Sequence, residues 1–417
     1  MSTKYMQSAD FYSPRIAVIG GGAAGMMAAG VAASYGATVT VFEHTDRLGK
    51  KLAITGKGRC NVTNDCDVNE FLESVRRNPR FLYAALNELS PAETITFFEG
   101  LGVKLKTERG KRVFPESDKA IDIVRALREF SSSAEIIYKS VKGVTKQGSV
   151  FKITTDSEQE FDKVIIATGG RSYPLTGSNG SGYRLAKKLG HTVTALSPSL
   201  VPLESPSKLC PTLQGLSLKN VQITLVDSGN RIVYKDFGEM MFTHFGVTGP
   251  MILSASAHLR DIDPASLTLL IDLKPALDDK TLDARLISEF SSGSNKDFIN
   301  VLTHLLPSKL VDPFAEICGI DPRKKVNSLT KEERTAVLRA LKCIEIPISG
   351  FRPIEEAIIT SGGIEVKEIV PKTMESKIVP GLYFAGEIID VDAYTGGFNL
   401  QIAFSTGYLA GKSAAES

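Results

Sequence analysis

Ile16-Ala17-Val18-Ile19-Gly20-Gly21-Gly22-Ala23-Ala24-Gly25 is the stretch on which the fold turns. Its apolar run ends in a glycine turn, a helix of small residues follows to about Tyr35, and Val39-Thr40-Val41-Phe42 leads into Glu43. Strand, turn, helix, strand and acid in that order form a dinucleotide-binding βαβ unit. Gly20 permits the tight turn, Gly22 lets the backbone approach a pyrophosphate, and Gly25 lets helix and strand pack closely. The helix N-terminus offers its free N–H groups to the anion, and Glu43 is placed to accept hydrogen bonds from a ribose. The competing reading is a membrane span over Ile16 to Ala33. That run is marginal in length and is interrupted by the glycine cluster.

Outward from this unit, 417 residues suggest two or three domains, and 42% hydrophobic with 23% charged residues is ordinary globular usage. Lys and Arg total 49 against 47 Asp and Glu, a net charge of +2, so no broad field attracts nucleic acid or an anionic membrane. The expected partner is a small-molecule substrate, with no nucleic acid, membrane or obligate protein partner. The fourteen residues before Arg15 include Asp10 and lack an apolar core segment, which argues against a secretory signal and for a cytoplasmic protein. Cys60, Cys66, Cys210, Cys318 and Cys343 form an odd, scattered set, expected as reduced thiols. No histidine or cysteine spacing suggests a metal site.

A second strand-to-glycine junction, Val164-Ile165-Ile166-Ala167 into Thr168-Gly169-Gly170, reads as a buried parallel strand whose loop faces the same crevice as Gly20. Before it come a helix at about Ile121 to Ser131 and strands at Glu135 to Tyr138, Gly143 to Lys146 and Val150 to Thr155, which look like a small antiparallel excursion. From about Leu196 the chain becomes proline-spaced and β-rich, with a hairpin signal at Asp227-Ser228-Gly229-Asn230 and a strand at Leu267 to Leu273. Helical segments follow at Leu282 to Ser291, Phe298 to Leu305, Pro307 to Cys318 and Lys331 to Leu341. Thr330 and Glu333 make a capping box for the last of these. Sheet-like patterning returns at Ile358-Ile359-Thr360-Ser361-Gly362-Gly363 and at Gly381-Leu382-Tyr383-Phe384-Ala385-Gly386-Glu387. A last helix is expected from about Asn399 to Ala410, ending before Gly411. The expected division is a nucleotide domain of residues 1–195 and 356–417, interrupted by a β-rich insert of residues 196–274 and 343–355 that carries a helical subdomain at 275–342.

The tail junction decides between dinucleotides. An acid after such a strand can hold a ribityl chain, and a helix starting just beyond it turns its positive end towards the pyrimidine edge, where reduction places negative charge. That chemistry favours FAD over NAD.

Long ordered motifs carry a resemblance. They are Gly49-Lys50-Lys51-Leu52-Ala53-Ile54-Thr55-Gly56-Lys57-Gly58-Arg59-Cys60-Asn61-Val62-Thr63-Asn64, Arg112-Val113-Phe114-Pro115, Phe242-Thr243-His244-Phe245-Gly246-Val247-Thr248-Gly249-Pro250, Thr373-Met374-Glu375-Ser376-Lys377, Ala385-Gly386-Glu387-Ile388-Ile389-Asp390-Val391-Asp392 and Gly396-Gly397-Phe398-Asn399-Leu400-Gln401. Across essentially its full length the chain resembles the BaiN/YhiN-type FAD-dependent oxidoreductases, which include bile-acid enone reductases and aminoacetone oxidase-like enzymes. It departs from them at Lys57, often Gly, and at Phe398, usually Tyr. The resemblance implies an α/β fold, a Rossmann-like two-segment FAD-binding domain interrupted by a β-barrel-like domain with a helical insert. It implies that Gly20, Gly22, Ala24 and Gly25 hold the pyrophosphate of a non-covalent FAD and that Glu43 and His44 meet the ribose. Lys51, Gly58, Arg59, Cys60 and Asn61 run beside the flavin ring, and Val141 offers its backbone to adenine. Ala167, Thr168 and Gly169 line the adenosine side. Gly386 and Glu387 take the ribityl chain with Asp390 nearby, and Gly397, Asn399 and Leu400 open the helix at the pyrimidine edge.

Cys60 and Cys66 sit roughly where flavin disulfide reductases carry a redox pair. The tail has no histidine after His304 to serve as their base, so Cys60 reads as a small residue packed in the flavin loop. His244 is the candidate catalytic acid, with a hydrogen-bonded structural histidine as the alternative. The function implied is an FAD-dependent oxidoreductase passing hydride equivalents between flavin N5 and a small or medium organic substrate. Either NAD(P)H serves as transient donor for reduction of an activated C=C bond, or an amine is oxidised with oxygen as acceptor. A tRNA-modifying flavoprotein is the alternative class.

Overall fold

The computed structural model describes residues 13–417. The N-terminal segment behind the targeting expectation therefore lies largely outside the described residues. The chain forms two compact units, one of the residues up to Ser197 together with Ile359–Ser417, the other Pro198–Ile358.

In the first unit β1 (Arg15–Ile19), α1 (Ala23–Ser34) and β2 (Thr38–Phe42) follow one another as a parallel strand–helix–strand crossover. They belong to a five-stranded sheet ordered Leu382–Phe384, Lys163–Ile166, β1, β2, Glu135–Ile137. All four pairings are parallel. Ile16 to Ile19, Val164 to Ile166 and Leu382 to Phe384 are all buried, as continuous apolar runs in a sheet covered on both faces must be. The strand at Glu135 corrects the sequence reading. It is the parallel edge of this sheet, with Ile136 beside Val41, and only Gly143–Gln147, Val150–Thr154 and Glu158–Phe161 make the antiparallel excursion. The physical reason is the helix Ala120–Phe130 just before it, which returns the chain as a crossover does.

The C-terminal helix runs from Phe398 to Glu416 and passes straight through Gly411. Gly411 is interior because the helix lies on α1: a Cβ there would stand 2.4 Å from the Ala28 carbonyl oxygen, and one at Gly407 2.5 Å from that of Ala24. This crossing explains why α1 is built of Ala and Gly and is buried almost all round. A further sheet, absent from the sequence reading, joins β3 (Thr63–Asn64) to Arg112–Pro115 and Leu105–Glu108.

The second unit holds a seven-stranded antiparallel sheet. Its hairpin pairs Ser217–Val226 with Ile232–Thr243, and Asp227 Oδ1 closes the turn by accepting from the Gly229 and Arg231 amides. The helices Asp279–Ser292, Phe298–Leu302, Ser308–Cys318 and Lys331–Lys342 leave from one sheet strand, Thr268–Asp272, and return to its neighbour, Ile344–Pro347. The capping box of Thr330 and Glu333 is formed. No helix among the described residues is long and apolar enough to cross a membrane.

Candidate functional site

Gly20 has φ +108, and a Cβ on it would lie 2.5 Å from the Ala167 carbonyl oxygen, so the ends of β1 and Lys163–Ile166 meet backbone to backbone. A Cβ at Gly25 would lie 1.8 Å from the Gly20 carbonyl oxygen, which leaves glycine as the residue that lets α1 begin directly behind the turn. Gly22 is different. It is the N-cap of α1, and a Cβ there would meet nothing among the described residues within 4 Å. No side chain caps the first turn of α1, and no acidic residue lies in it. Bare N–H groups behind an open glycine fit the oxygens of a pyrophosphate.

Glu43 is buried, and its carboxylate is pinned at the turn: Oε2 accepts from the Gly21 amide at 2.9 Å and Oε1 from the Thr45 amide at 2.7 Å. His44 Nδ1 stands 3.6 Å from Oε1. Val141 is half-buried against the core in the link between Glu135–Ile137 and Gly143–Gln147.

The tail arrives at the same place. A Cβ on Gly386 would lie 2.8 Å from the Cβ of Ala24, in the first turn of α1. Glu387 follows, with Oε2 accepting from Lys51 Nζ at 2.6 Å and Oε1 accepting from the Thr360 amide at 2.9 Å and Ser172 Oγ at 3.1 Å. Lys51 Nζ also donates to Ser172 Oγ at 2.7 Å. Three other chain segments therefore converge on one partly buried carboxylate. Gly170 makes room for it, since a Cβ there would lie 2.7 Å from Glu387 Oε1. Ser172 and Thr360 were missed by sequence reasoning, although both lie in or beside the quoted glycine-bearing junctions. Their signal was a hydroxyl beside each strand end.

Other candidate residues have protein partners of their own. Asp390 is almost fully buried and paired with Arg77, Oδ2 to Nη2 at 3.0 Å, while its carbonyl accepts from Asn78 Nδ2. Asn399 folds the preceding loop over the helix start: its Oδ1 accepts from the Ala393 amide and its Nδ2 donates to the carbonyls of Ala393 and Tyr394. Gly397, φ +100, presses on Thr63, where a Cβ would lie 2.3 Å from the carbonyl carbon. Leu400 is half-buried against the core. The Arg59 guanidinium reaches Glu108 at 2.5 Å and Asp118 at 2.6 Å, and lies over the Phe114 ring. Those carboxylates hold its charge more firmly than usual.

The loop Leu52–Gly58 is kinked, with Gly56, Lys57 and Gly58 in succession at positive φ and Cys60 likewise at +60. Lys57, where relatives in the resembled family often carry Gly, therefore occupies a conformation that glycine adopts without strain. Burial pushes the Cys60 thiol up to about 12, and burial with the charge of Glu70 pushes that of Cys66 up to about 11. Neither forms a thiolate near neutrality, the opposite of what a redox dithiol needs. Two buried polar atoms in the candidate set, Asn61 Oδ1 and Thr168 Oγ1, have no hydrogen-bond partner among the described residues. A carboxamide oxygen accepts and a hydroxyl can do either, so both fit a ligand rich in N–H and O–H groups such as FAD. His244 belongs to the second unit, exposed in the turn after Ile232–Thr243 with its ring edge-on to Phe245 at 5.0 Å.

A parallel sheet built from two chain segments, with these contacts at its strand ends, defines the class of Rossmann-type dinucleotide-binding proteins. Within that class the chain belongs to the family described as HI0933-like protein Rossmann domain, matched over residues 14–413. It is 31% identical over 410 residues to a 3-dehydro-bile acid delta(4,6)-reductase of Clostridium scindens, covering 96% of this chain and 99% of that protein. It is 30% identical to a ribosomal RNA dihydrouridine synthase of Haemophilus influenzae over 95% of this chain and 97% of the relative. The Escherichia coli protein of the same description is 28% identical, over 94% and 95%. Among solved structures, a 3-ketosteroid-delta4-(5alpha)-dehydrogenase of Rhodococcus jostii shares the fold with TM-score 0.52 at 16% identity, covering 99% of each chain. A 3-ketosteroid delta1-dehydrogenase of Sterolibacterium denitrificans does so with TM-score 0.51 at 12% identity, covering 97% of this chain and 100% of that one.

Proposed function

We propose that this protein is an FAD-dependent reductase that saturates a carbon–carbon double bond conjugated to a carbonyl in a small or medium organic substrate, with NAD(P)H as electron donor. The observation that carries the reading is the meeting of the glycine turn after β1 with Gly386 and Glu387 at the first turn of α1. There α1 would hold the pyrophosphate, Glu43 the adenosine ribose, and Glu387, steadied by Lys51, Ser172 and Thr360, a ribityl hydroxyl. When bound, FAD supplies hydride transfer to the double bond. His244 is the proposed proton donor to the second carbon.

The relatives' names support reduction over amine oxidation. A delta(4,6)-reductase of a 3-dehydro-bile acid and a dihydrouridine synthase both concern a C=C bond beside a carbonyl. Anaerobic NADH or NADPH should bleach the flavin, and a conjugated steroidal dienone acid should restore its colour. Bleaching by amines with no response to either pyridine nucleotide overturns the reading. A second reading, favoured by the two synthases, puts that bond in a uracil of ribosomal RNA. Mass spectrometry of ribosomal RNA nucleosides from cells lacking the gene tests it: loss of a dihydrouridine supports the RNA substrate, and an unchanged content rejects it.

A further inference from the structure

Three buried side-chain polar atoms have no hydrogen-bond partner among the described residues: Asn61 Oδ1, Thr168 Oγ1 and Ser197 Oγ. A hydroxyl can turn and serve as donor or acceptor, whereas a carboxamide oxygen can only accept. A bare buried acceptor is destabilising, so Asn61 Oδ1 is the atom that most strictly calls for an N–H or O–H from a ligand.

Its position is set by the backbone on both sides. Behind it lies the positive-φ run of Gly56, Lys57, Gly58 and Cys60, the kind of local strain that persists where surrounding structure imposes it. Ahead of it, β3 is fastened to the start of the C-terminal helix. Gly397 packs on the Thr63 backbone, Thr63 Oγ1 donates to Gln401 Oε1 at 2.6 Å, and Asn64 Nδ2 donates to the Gly396 carbonyl at 3.1 Å. Gln401 is fully buried and is itself tied to Leu89 and Thr94. Asn61 thus stands two residues from the strand that is fastened to the mouth of this helix, whose positive end suits a pyrimidine edge.

We propose that Asn61 Oδ1 accepts the N3–H of the FAD pyrimidine ring, an assignment that rests on the flavoprotein reading above. The oxidised isoalloxazine carries one N–H, at N3, and N5 gains a hydrogen only on reduction. A partner at N5 would leave Asn61 bare in the oxidised state. Because N3–H persists on reduction, the contact positions the ring in both states and leaves the redox potential alone, which makes Asn61 a positioning residue.

Apo-protein titrated with FAD and with N3-methyl-FAD tests this. Wild-type protein should bind FAD about 10- to 100-fold more tightly than the methylated analogue, and Asn61→Leu should lose about the same factor towards FAD and no longer distinguish the two. Asn61→Asp, which keeps the acceptor, should retain the discrimination, and the midpoint potential of Asn61→Leu should match wild type. Equal binding of both flavins by wild-type protein overturns the assignment, with or without a folded Asn61→Leu. So does a lowered potential with discrimination intact, which would place the bond at N5. Should wild-type protein take up neither flavin while its circular dichroism stays native, it is the flavoprotein reading that fails, and the assignment with it.

Discussion

Glu387 concentrates the site's chemistry in one carboxylate, since Lys51, Ser172 and Thr360 all donate to it from separate segments. Glu387→Gln leaves Lys51 facing a neutral amide, and FAD affinity should fall about tenfold or more, read by fluorescence titration. The same scale separates Cys60 from a redox role. With its thiol held near 12 by burial, alkylation at about pH 8 followed by mass spectrometry should leave Cys60 unmodified in native protein, and rapid labelling would restore the dithiol idea. A pH effect belongs to His191, buried between Glu368 and Ser376, to which its ring nitrogens stand at 3.0 and 2.8 Å. Burial lowers its pKa from the ordinary 6.5 even though Glu368 opposes the shift. A depressed value means stability present above 6.5 and lost as pH falls through the folded-state value. Denaturant midpoints should therefore drop on acidification in wild type and drop less in His191→Gln.

At the scale of elements, the βαβ unit was readable because each part has its own signature: a β-branched run, glycines at a turn, small residues on a helix, an acid after the second strand. Lys163–Ile166 and Leu382–Phe384 were readable for the same reason, as short apolar runs ending in glycine. What stayed hidden depended on partners distant in sequence. Glu135–Ile137 is three residues long, too short for periodicity to reveal its direction, and β3 is shorter still. Gly411 looked like a helix stop because its local chemistry is that of a C-terminus, and only the crossing with α1 makes it an interior contact. In the site, glycines were legible and hydrogen-bonding side chains less so. Ser172 and Thr360 have no sequence spacing that announces them, and nothing in the sequence pairs the side chains of Asp390 and Asn399 with Arg77 and the 393–394 backbone, which they bind. The crossing predicts that Gly411→Leu destabilises the fold by about 1–3 kcal/mol or more, because backbone rather than a yielding side chain stands in the way. Thermal and denaturant melts would show it, and a wild-type-like melt would mean the helices do not meet there.

At the scale of the whole molecule, an insert separates the two sequence segments that one parallel sheet reunites, with Leu382–Phe384 hydrogen-bonded to Lys163–Ile166 beside β1. Charge is nearly balanced, so the small-substrate reading predicts weak retention of ribosomal RNA fragments at physiological salt, and tight, salt-steep binding would favour the RNA reading. The glycine turn and the tail are proposed to hold a single FAD between them. Chromatography of the flavin released from purified, denatured protein should find FAD close to one per chain, and colourless protein that also fails to take up added FAD would mean that they hold none.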